Sequence, residues 1–396
     1  MKSDDRKTPF VYGRVAIGPN FTDREVEAKK LRENLSSGIN TVLISPRRWG
    51  KSSLVNRVAE RMKSKKVCFC FIDLFNVRSA HEFYELYTKE LLQVTAGRLE
   101  ERMKQAGQLF KKIVPRFQFS PDPHSDFSVS LDWNELKRNE DDVLNLPERI
   151  FNLKKKRIIV CLDEFQNIAH FDDPLAFQKK LRAHWQRHQN TTYCIYGSKR
   201  HMLAEFFTSS SMPFYKFGDL VFLDKIPREY WLKFIPKRFS DTGKTISETL
   251  AGEIADTMDN HPYFVQQFAQ QVWIRTPKRC TGSIVRDTLE MLLDQFAILF
   301  QKEVDQLTNM QLKLLNALCN NESSVTKGDV IRRYNLRSTA HVVKIRTVLE
   351  SKEIIDTFGD KTIFIDPLLK LWLRKRFFSN QKVSNQKVTK SSSATS

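Results

Sequence analysis

A chain of 396 residues exceeds one ordinary domain, and at roughly 100–200 residues per domain it divides into two or three. Its hydrophobic fraction of 41% is that of a globular protein, which excludes a disordered or fibrous chain, and no run approaches the ~18 apolar residues of a membrane span. With 65 Lys and Arg against 46 Asp and Glu, the formal charge of +19 favours a polyanionic partner without identifying it. The start, MKSDDRKTPF, lacks the apolar segment of a secretory signal, so a cytoplasmic location without membrane association is expected. Cysteines 68, 70, 161, 194, 280 and 319 lie mostly within apolar runs and form no C-x-x-C pair. They read as reduced core thiols rather than metal ligands.

Residues 22–36 carry a helical pattern, with Thr22 and Glu25 in a T-x-x-E capping arrangement and Gly38 as a stop. The apolar run 41–44 follows and leads into residues 45–53, SPRRWGKSS. A Gly-Lys-Ser triplet that opens a helix places backbone N–H groups and a lysine around a polyphosphate, and the next hydroxyl can ligate magnesium. The implied ligand is a nucleoside triphosphate. One position departs from G-x-x-x-x-G-K-[ST]: Ser45 stands where glycine is usual. Residues 52–63 then place Leu54, Val55, Val58, Ala59 and Met62 at helical spacing, completing a strand, loop and helix.

The run 67–74 does not alternate and predicts a buried parallel strand ending at Asp73, with helical patterning from residue 81. Residues 93–141 are polar, charged and interrupted by Pro115, Pro121 and Pro123, which predicts a helical excursion plus a loop rather than core sheet. A third strand, 157–163, ends in the acidic pair Asp163 and Glu164. A fourth, 192–196, ends in Gly197 and Ser198, and a fifth, 220–223, precedes Pro227. Strands alternating with helices predict a parallel α/β sheet with helices on both faces, the P-loop NTPase class.

Beyond Pro227 the pattern is helical only, with Trp231, Phe234, Ile235 and Phe239 in one segment and Ile254 and Met258 in another, before His261-Pro262-Tyr263. From residue 307 three helices precede two short strands, 354–357 and 362–365, around the turn 358–360, the winged-helix pattern. The expected organisation is an ATPase-type core over 1–226, a helical lid domain over 227–306, a winged-helix domain over 307–378 and a disordered basic tail over 379–396.

Hydrolysis of a phosphoanhydride needs charge neutralisation, a bridging metal and a group that orients water. Lys51 is the candidate for phosphate oxygens and Ser52 for Mg²⁺, while backbone N–H groups of residues 49–53 complete a cradle with Ser45, Pro46, Arg47, Arg48, Trp49, Gly50 and Ser53. Asp163 would hold the metal through water, and Glu164, just outside the strand, is placed as general base. Ser198 could bring a polar side chain near the γ-phosphate. Arg47, Arg48 and Arg200 are candidate phosphate or trans-acting arginines, with a solvated charge the favoured reading of each, and His261 before Pro262 reads by itself as a turn or helix cap.

The set formed by residues 21–25, 45–53, 162–166, 197–198, 260–263 and 366–373 (DPLLKLWL) resembles the prokaryotic archaeal ATPase family, within the signal-transducing STAND branch of the AAA-type P-loop ATPases. The resemblance implies ATP and Mg²⁺ as ligands and a three-part build of ATPase core, lid and winged helix. It places Phe21, Arg24 and Glu25 beside the adenine, His261 toward phosphate and Pro262 toward the base. No arginine finger maps onto the chain. A nuclease activity is not implied.

The expected function is an ATP-hydrolysing regulator whose lid and winged helix respond to the nucleotide, with a homo-oligomer or a protein partner left open. The alternative is a nucleic-acid-binding module that holds ATP with negligible turnover. From residue 307 onward sixteen Lys and Arg face seven Asp and Glu, and residues 338–350 would form a DNA-recognition helix offering His341, Lys344 and Arg346. Val342, Val343, Ile345, Val348 and Leu349 claim its other faces, so intramolecular packing remains the competing role. A kinase or GTPase is disfavoured because no N-K-x-D tetrapeptide occurs.

Overall fold

The computed structural model describes residues 8–95, 106–110, 112–113, 115–119 and 127–379, so the expected tail beyond residue 379 lies outside the described residues. The chain forms two compact units, one of Val15–Asp224 and one of Lys225–Ser396 together with Met1–Arg14. Among the described residues no helix is long and apolar enough to cross a membrane.

The first unit is built on five parallel strands: β1 (Thr41–Ile44), β2 (Val67–Asp73), β5 (Arg157–Asp163), β6 (Thr191–Gly197) and β7 (Asp219–Phe222), in the order β2-β5-β6-β1-β7. Side chains alternate between faces along a strand, so a run that is apolar throughout demands cover on both sides. Val42 and Ile44 enter one core with Ile72, Val160 and Ile195, while Leu43 enters the other with Ile159, Cys161 and Val221. The second face is covered by α1 (Glu25–Ser36), through Ala28, Leu31 and Leu35, and by α2 (Lys51–Met62), through Leu54, Val55 and Val58. The first is covered by α3 (Ala80–Thr95), through Phe83, Tyr84 and Tyr87, and by the helix Pro174–Trp185. Each such fully buried aliphatic side chain contributes about 1.5–3 kcal/mol.

Strand order brings the functional ends together. β6 pairs with β1 on one side and β5 on the other, with Val42 opposite Ile195 and Leu162 opposite the same residue. The carboxyl ends of all three therefore emerge at one edge of the sheet, the edge at which open α/β folds bind ligands.

Three sequence expectations change. β2 is an edge strand, so Phe71 is 37% exposed where a strand buried on both faces was expected. The Thr22–Glu25 capping box does not form: α1 starts at Glu25, with Arg24 as N-cap in the left-handed conformation (φ 70°) and no side-chain cap. In the stretch around residues 93–141, the helices Trp133–Arg138 and Glu140–Leu144 are preceded by an antiparallel pair of strands, β3 (Arg116–Phe119) and β4 (Phe127–Ser130), separate from the main sheet. Part of that stretch lies outside the described residues. All six cysteines are free thiols, buried except for the half-buried Cys68.

The second unit opens with four helices, Arg228–Ser240, Glu248–Thr257, Pro262–Arg275 and Gly282–Val304. The helices Asn309–Cys319, Gly328–Arg333 and Thr339–Ser351 follow, then the antiparallel ribbon β8 (Ile355–Phe358) and β9 (Lys361–Phe364) and the helix Pro367–Trp372. This is a winged helix, and its Leu315, Leu349 and Trp372 share one core with Trp231, Phe268 and Leu293. Side-chain caps from Ser247, Thr281, Ser338 and Asp366, and a full capping box between Thr308 and Gln311, satisfy the otherwise unpaired N–H groups of the helix starts. In the expected recognition helix Val342, Ile345 and Leu349 are core, whereas Val343, Lys344 and Val348 are exposed. His341 and Arg346 are half-buried, Arg346 lying 3.8 Å from Glu350, so Lys344 alone of the three basic candidates is fully displayed.

Candidate nucleotide site

The loop between β1 and α2 is shaped by two left-handed residues, Arg48 at φ 65° and Gly50 at φ 91°. Ser45 is not among the positive-φ residues, so the first position of this loop does not need glycine's conformational freedom and accepts a serine. Ser45 is instead fully buried, and its hydroxyl donates to Pro46 O at 3.2 Å. The first helical hydrogen bond of α2 runs from Leu54 N to Gly50 O, which leaves the N–H groups of residues 51–53 without intrahelical acceptors. Those donors and the positive end of the helix dipole make the loop a place for an anion.

Lys51 lies inside the loop with its ammonium group on Pro46 O at 2.8 Å and Ser45 O at 3.1 Å. Pro46 and Trp49 are buried, while Arg47 and Arg48 are exposed. Ser53 accepts from Ala16 N at 3.0 Å and so ties residue 16 to the start of α2.

Ser52 Oγ donates to Asp163 Oδ2 at 3.0 Å, joining the phosphate loop to the end of β5 across the intervening β6. Burial, aided by the neighbouring Glu164 carboxylate, pushes the Asp163 carboxyl up to about 6, against the opposing hydrogen bond from Ser52. A hydroxyl and a carboxylate oxygen this close, beside a second carboxylate in a poorly solvated place, form a hard oxygen donor set that fits Mg²⁺.

Glu164 follows in the left-handed conformation (φ 51°). Its Oε2 accepts from Ser198 N at 3.1 Å, from Ser198 Oγ at 2.8 Å and from Gln166 Nε2. The expected base and the expected γ-phosphate contact are therefore hydrogen-bonded partners.

Arg24 is 3% exposed, and its guanidinium donates to Trp49 O, Asp224 O and Glu27 Oε1. It clamps the phosphate loop to the chain after β7. Glu25 is exposed and paired with Arg57 and Arg61, and the Arg57 guanidinium lies 4.4 Å from the centre of the Phe21 ring. His261 and Pro262 belong to the other unit. There His261 is the N-cap of the helix Pro262–Arg275, its Nδ1 accepting from Tyr263 N at 3.3 Å and its ring set edge-on to Phe264. That is the helix-cap role read from its sequence context.

Sequence reasoning missed three participants. Gln166 sits inside the motif 162–166 but received no role. The carbonyl of Asp224 has no side-chain signature. Gly197 was read as a strand end, whereas a Cβ there would lie 1.9 Å from Gln166 Oε1.

Comparison with known proteins agrees with this architecture. Residues 21–268 match the family described as "ATPase domain predominantly from Archaea", and residues 298–375 match a "Probable winged helix domain". Among solved structures, the Walker-type ATPase of Pyrococcus abyssi is similar at 19% identity and a TM-score of 0.62, over 91% of this chain and 98% of that one. The Aeropyrum pernix ORC2 protein, solved as ADPNP–ADP complexes, is similar at 15% identity and a TM-score of 0.57, over 94% of this chain and 96% of that one. At these identities the likeness is one of fold. No curated protein matches the chain.

Proposed function

Since the chain belongs to the family of ATPase domains found predominantly in Archaea, we propose that it is an Mg²⁺-dependent ATP hydrolase that couples its nucleotide state to the winged helix, in the manner of STAND regulators. The observation that carries this reading is the 3.0 Å bond between Ser52 and Asp163, which unites a phosphate-binding helix start with an acidic strand end. Lys51 and the N–H groups at the start of α2 would bind the β and γ phosphates. Ser52 would hold Mg²⁺ directly and Asp163 through water; the metal supplies charge neutralisation on the phosphate oxygens. Glu164 would take a proton from the attacking water, and Ser198 would orient the γ-phosphate.

Coupling needs a contact that differs between the ATP and ADP states, because a ligand shifts an equilibrium only by its difference in affinity. His261 and Pro262, at a helix start of the second unit, are the proposed responders, and Phe21 is the proposed adenine neighbour. Glu25 would act by orienting Arg57.

Phosphate release in the steady state tests the assignment. Glu164→Gln is expected to lower turnover about 10²–10⁴-fold with ATP still bound, and Lys51→Ala to lose ATP binding. Turnover unchanged in Glu164→Gln would refute the role of the base.

A second reading, DNA contact through the winged helix, is favoured by exposed Arg337, just before the N-cap Ser338, and exposed Lys344 in the amino-terminal half of the helix Thr339–Ser351. A titration with salt decides it, since phosphate contacts give an affinity that falls steeply with ionic strength. A flat response is the outcome that removes it.

A further inference from the structure

A general base must keep one lone pair directed at its water while the rest of the carboxylate is held still. A carboxylate offers about four acceptor positions, and hydrogen bonds decide which are spent on the protein. On Glu164 all three donors converge on Oε2: the Ser198 amide at 3.1 Å, the Ser198 hydroxyl at 2.8 Å and the Gln166 side-chain amide. Among the described residues no hydrogen bond engages Oε1. Two of these donors come from Ser198, just after β6, and the third from Gln166 in the helical turn Phe165–His170 that follows Glu164.

Gln166 is 1% exposed, and its Oε1 is buried with no hydrogen-bond partner among the described residues. A buried carbonyl oxygen is normally satisfied, so this side chain keeps an unfavourable arrangement on one side for the sake of the other. Exchanging the amide's oxygen and nitrogen would bring that oxygen against the Glu164 carboxylate, two acceptors face to face. The orientation with Nε2 on Glu164 is the one the surroundings permit. Space for it is made at Gly197, where a Cβ would lie 1.9 Å from Gln166 Oε1 and 3.0 Å from its Cδ. The absence of a side chain at position 197 is thus what lets Gln166 reach the base.

We propose that Gln166 is a positioning residue for hydrolysis: with Ser198 it anchors Glu164 Oε2, leaving Oε1 as the atom that receives the proton from water. In the step, a water O–H bond breaks and its proton goes to Oε1. The water oxygen forms a bond to the γ-phosphorus, and the bond from that phosphorus to the bridging oxygen breaks, its electron pair leaving on ADP. Gln166, 1% exposed, would act through Glu164 rather than on the reacting atoms. It acts by fixing the carboxylate plane, so its contribution belongs to kcat rather than to binding. This proposal rests on the hydrolytic reading of the site.

The test uses the full chain and Gln166→Met, which keeps length and volume but removes the amide donor. Steady-state phosphate release gives kcat and KM, titration with a fluorescent ATP analogue gives Kd, and a thermal melt reports folding. The expected result is a kcat lowered at least about tenfold with KM, Kd and melting temperature within twofold or a few degrees of wild type. Ser198→Ala and the double variant complete the set: residues acting as one anchor are expected to lose less together than the product of their separate losses. A parallel decline of Kd and melting temperature would assign Gln166 a structural role and overturn the proposal, as would a wild-type kcat in Gln166→Met. Glu164→Gln separates the two levels. If it is inactive while Gln166→Met is not, positioning fails and hydrolysis stands; if it turns over like wild type, the underlying reading fails.

Discussion

Replacing Arg24 with methionine separates two roles for a residue that motif comparison and geometry assign differently. Its guanidinium is almost wholly buried and donates to the carbonyls of Trp49 and Asp224 and to the Glu27 carboxylate. Methionine fills much of the volume but leaves two carbonyls and one carboxylate without their donor. An orphaned buried acceptor costs about 1–3 kcal/mol, and breaking a buried charge pair on one side about 3–5 kcal/mol. Because Glu27 is partly solvated and can rehydrate, a loss of about 3–4 kcal/mol is expected. For a unit of this size 1 kcal/mol corresponds to about 2–4 °C, so the first unit should melt about 10 °C lower. Urea denaturation without nucleotide, followed by tryptophan fluorescence, measures the change directly. Arg24→Lys should recover less than half of it, since a single ammonium cannot span the Trp49 and Asp224 carbonyls as a planar fork does. Unchanged stability combined with a selective loss of ATP affinity would refute the clamp and restore Arg24 to the nucleotide.

Two further expectations follow from side chains packed in the same unit. Gly197→Ala forces Gln166 aside and also brings a Cβ within 3.1 Å of Leu203 Cδ1. It should cost about 1–3 kcal/mol in a thermal melt and lower kcat as Gln166→Met does; a wild-type kcat would mean that the anchor survives. His188 is held by Tyr193 OH at 2.8 Å and by Asn145 at 3.2 Å, and burial pushes its imidazole down to about 4 despite the nearby Glu148 carboxylate. Its depressed folded value means that its contribution is complete above the ordinary value of ~6.5 and is lost as pH falls from there toward 4. About 2 kcal/mol should be gone by pH 5, read as a difference in urea unfolding between pH 7 and pH 5 that shrinks in His188→Gln. An identical pH dependence in that variant would show the loss to arise elsewhere.

What the sequence determined by itself is local. The β1 run feeding Gly50-Lys51-Ser52, the helical spacing of Leu54, Val55 and Val58, the apolar strand ending in Asp163-Glu164 and the ribbon around Gly359 are set by side-chain period and backbone preference within a dozen residues, and the structure has them there. Tertiary structure alone decided the pairings. That β6 lies between β1 and β5, so that Ser198 meets Glu164 while Ser52 still reaches Asp163, depends on which distant strands share hydrogen bonds. The exposure of Phe71 on an edge strand has the same origin. So has the capture of Arg24 by two loop carbonyls in place of the capping box at Thr22 and Glu25. A charged side chain, or an amide such as Gln166, has several chemically equivalent partners along the chain. Which one it takes is fixed only when packing removes water and leaves particular donors and acceptors within reach.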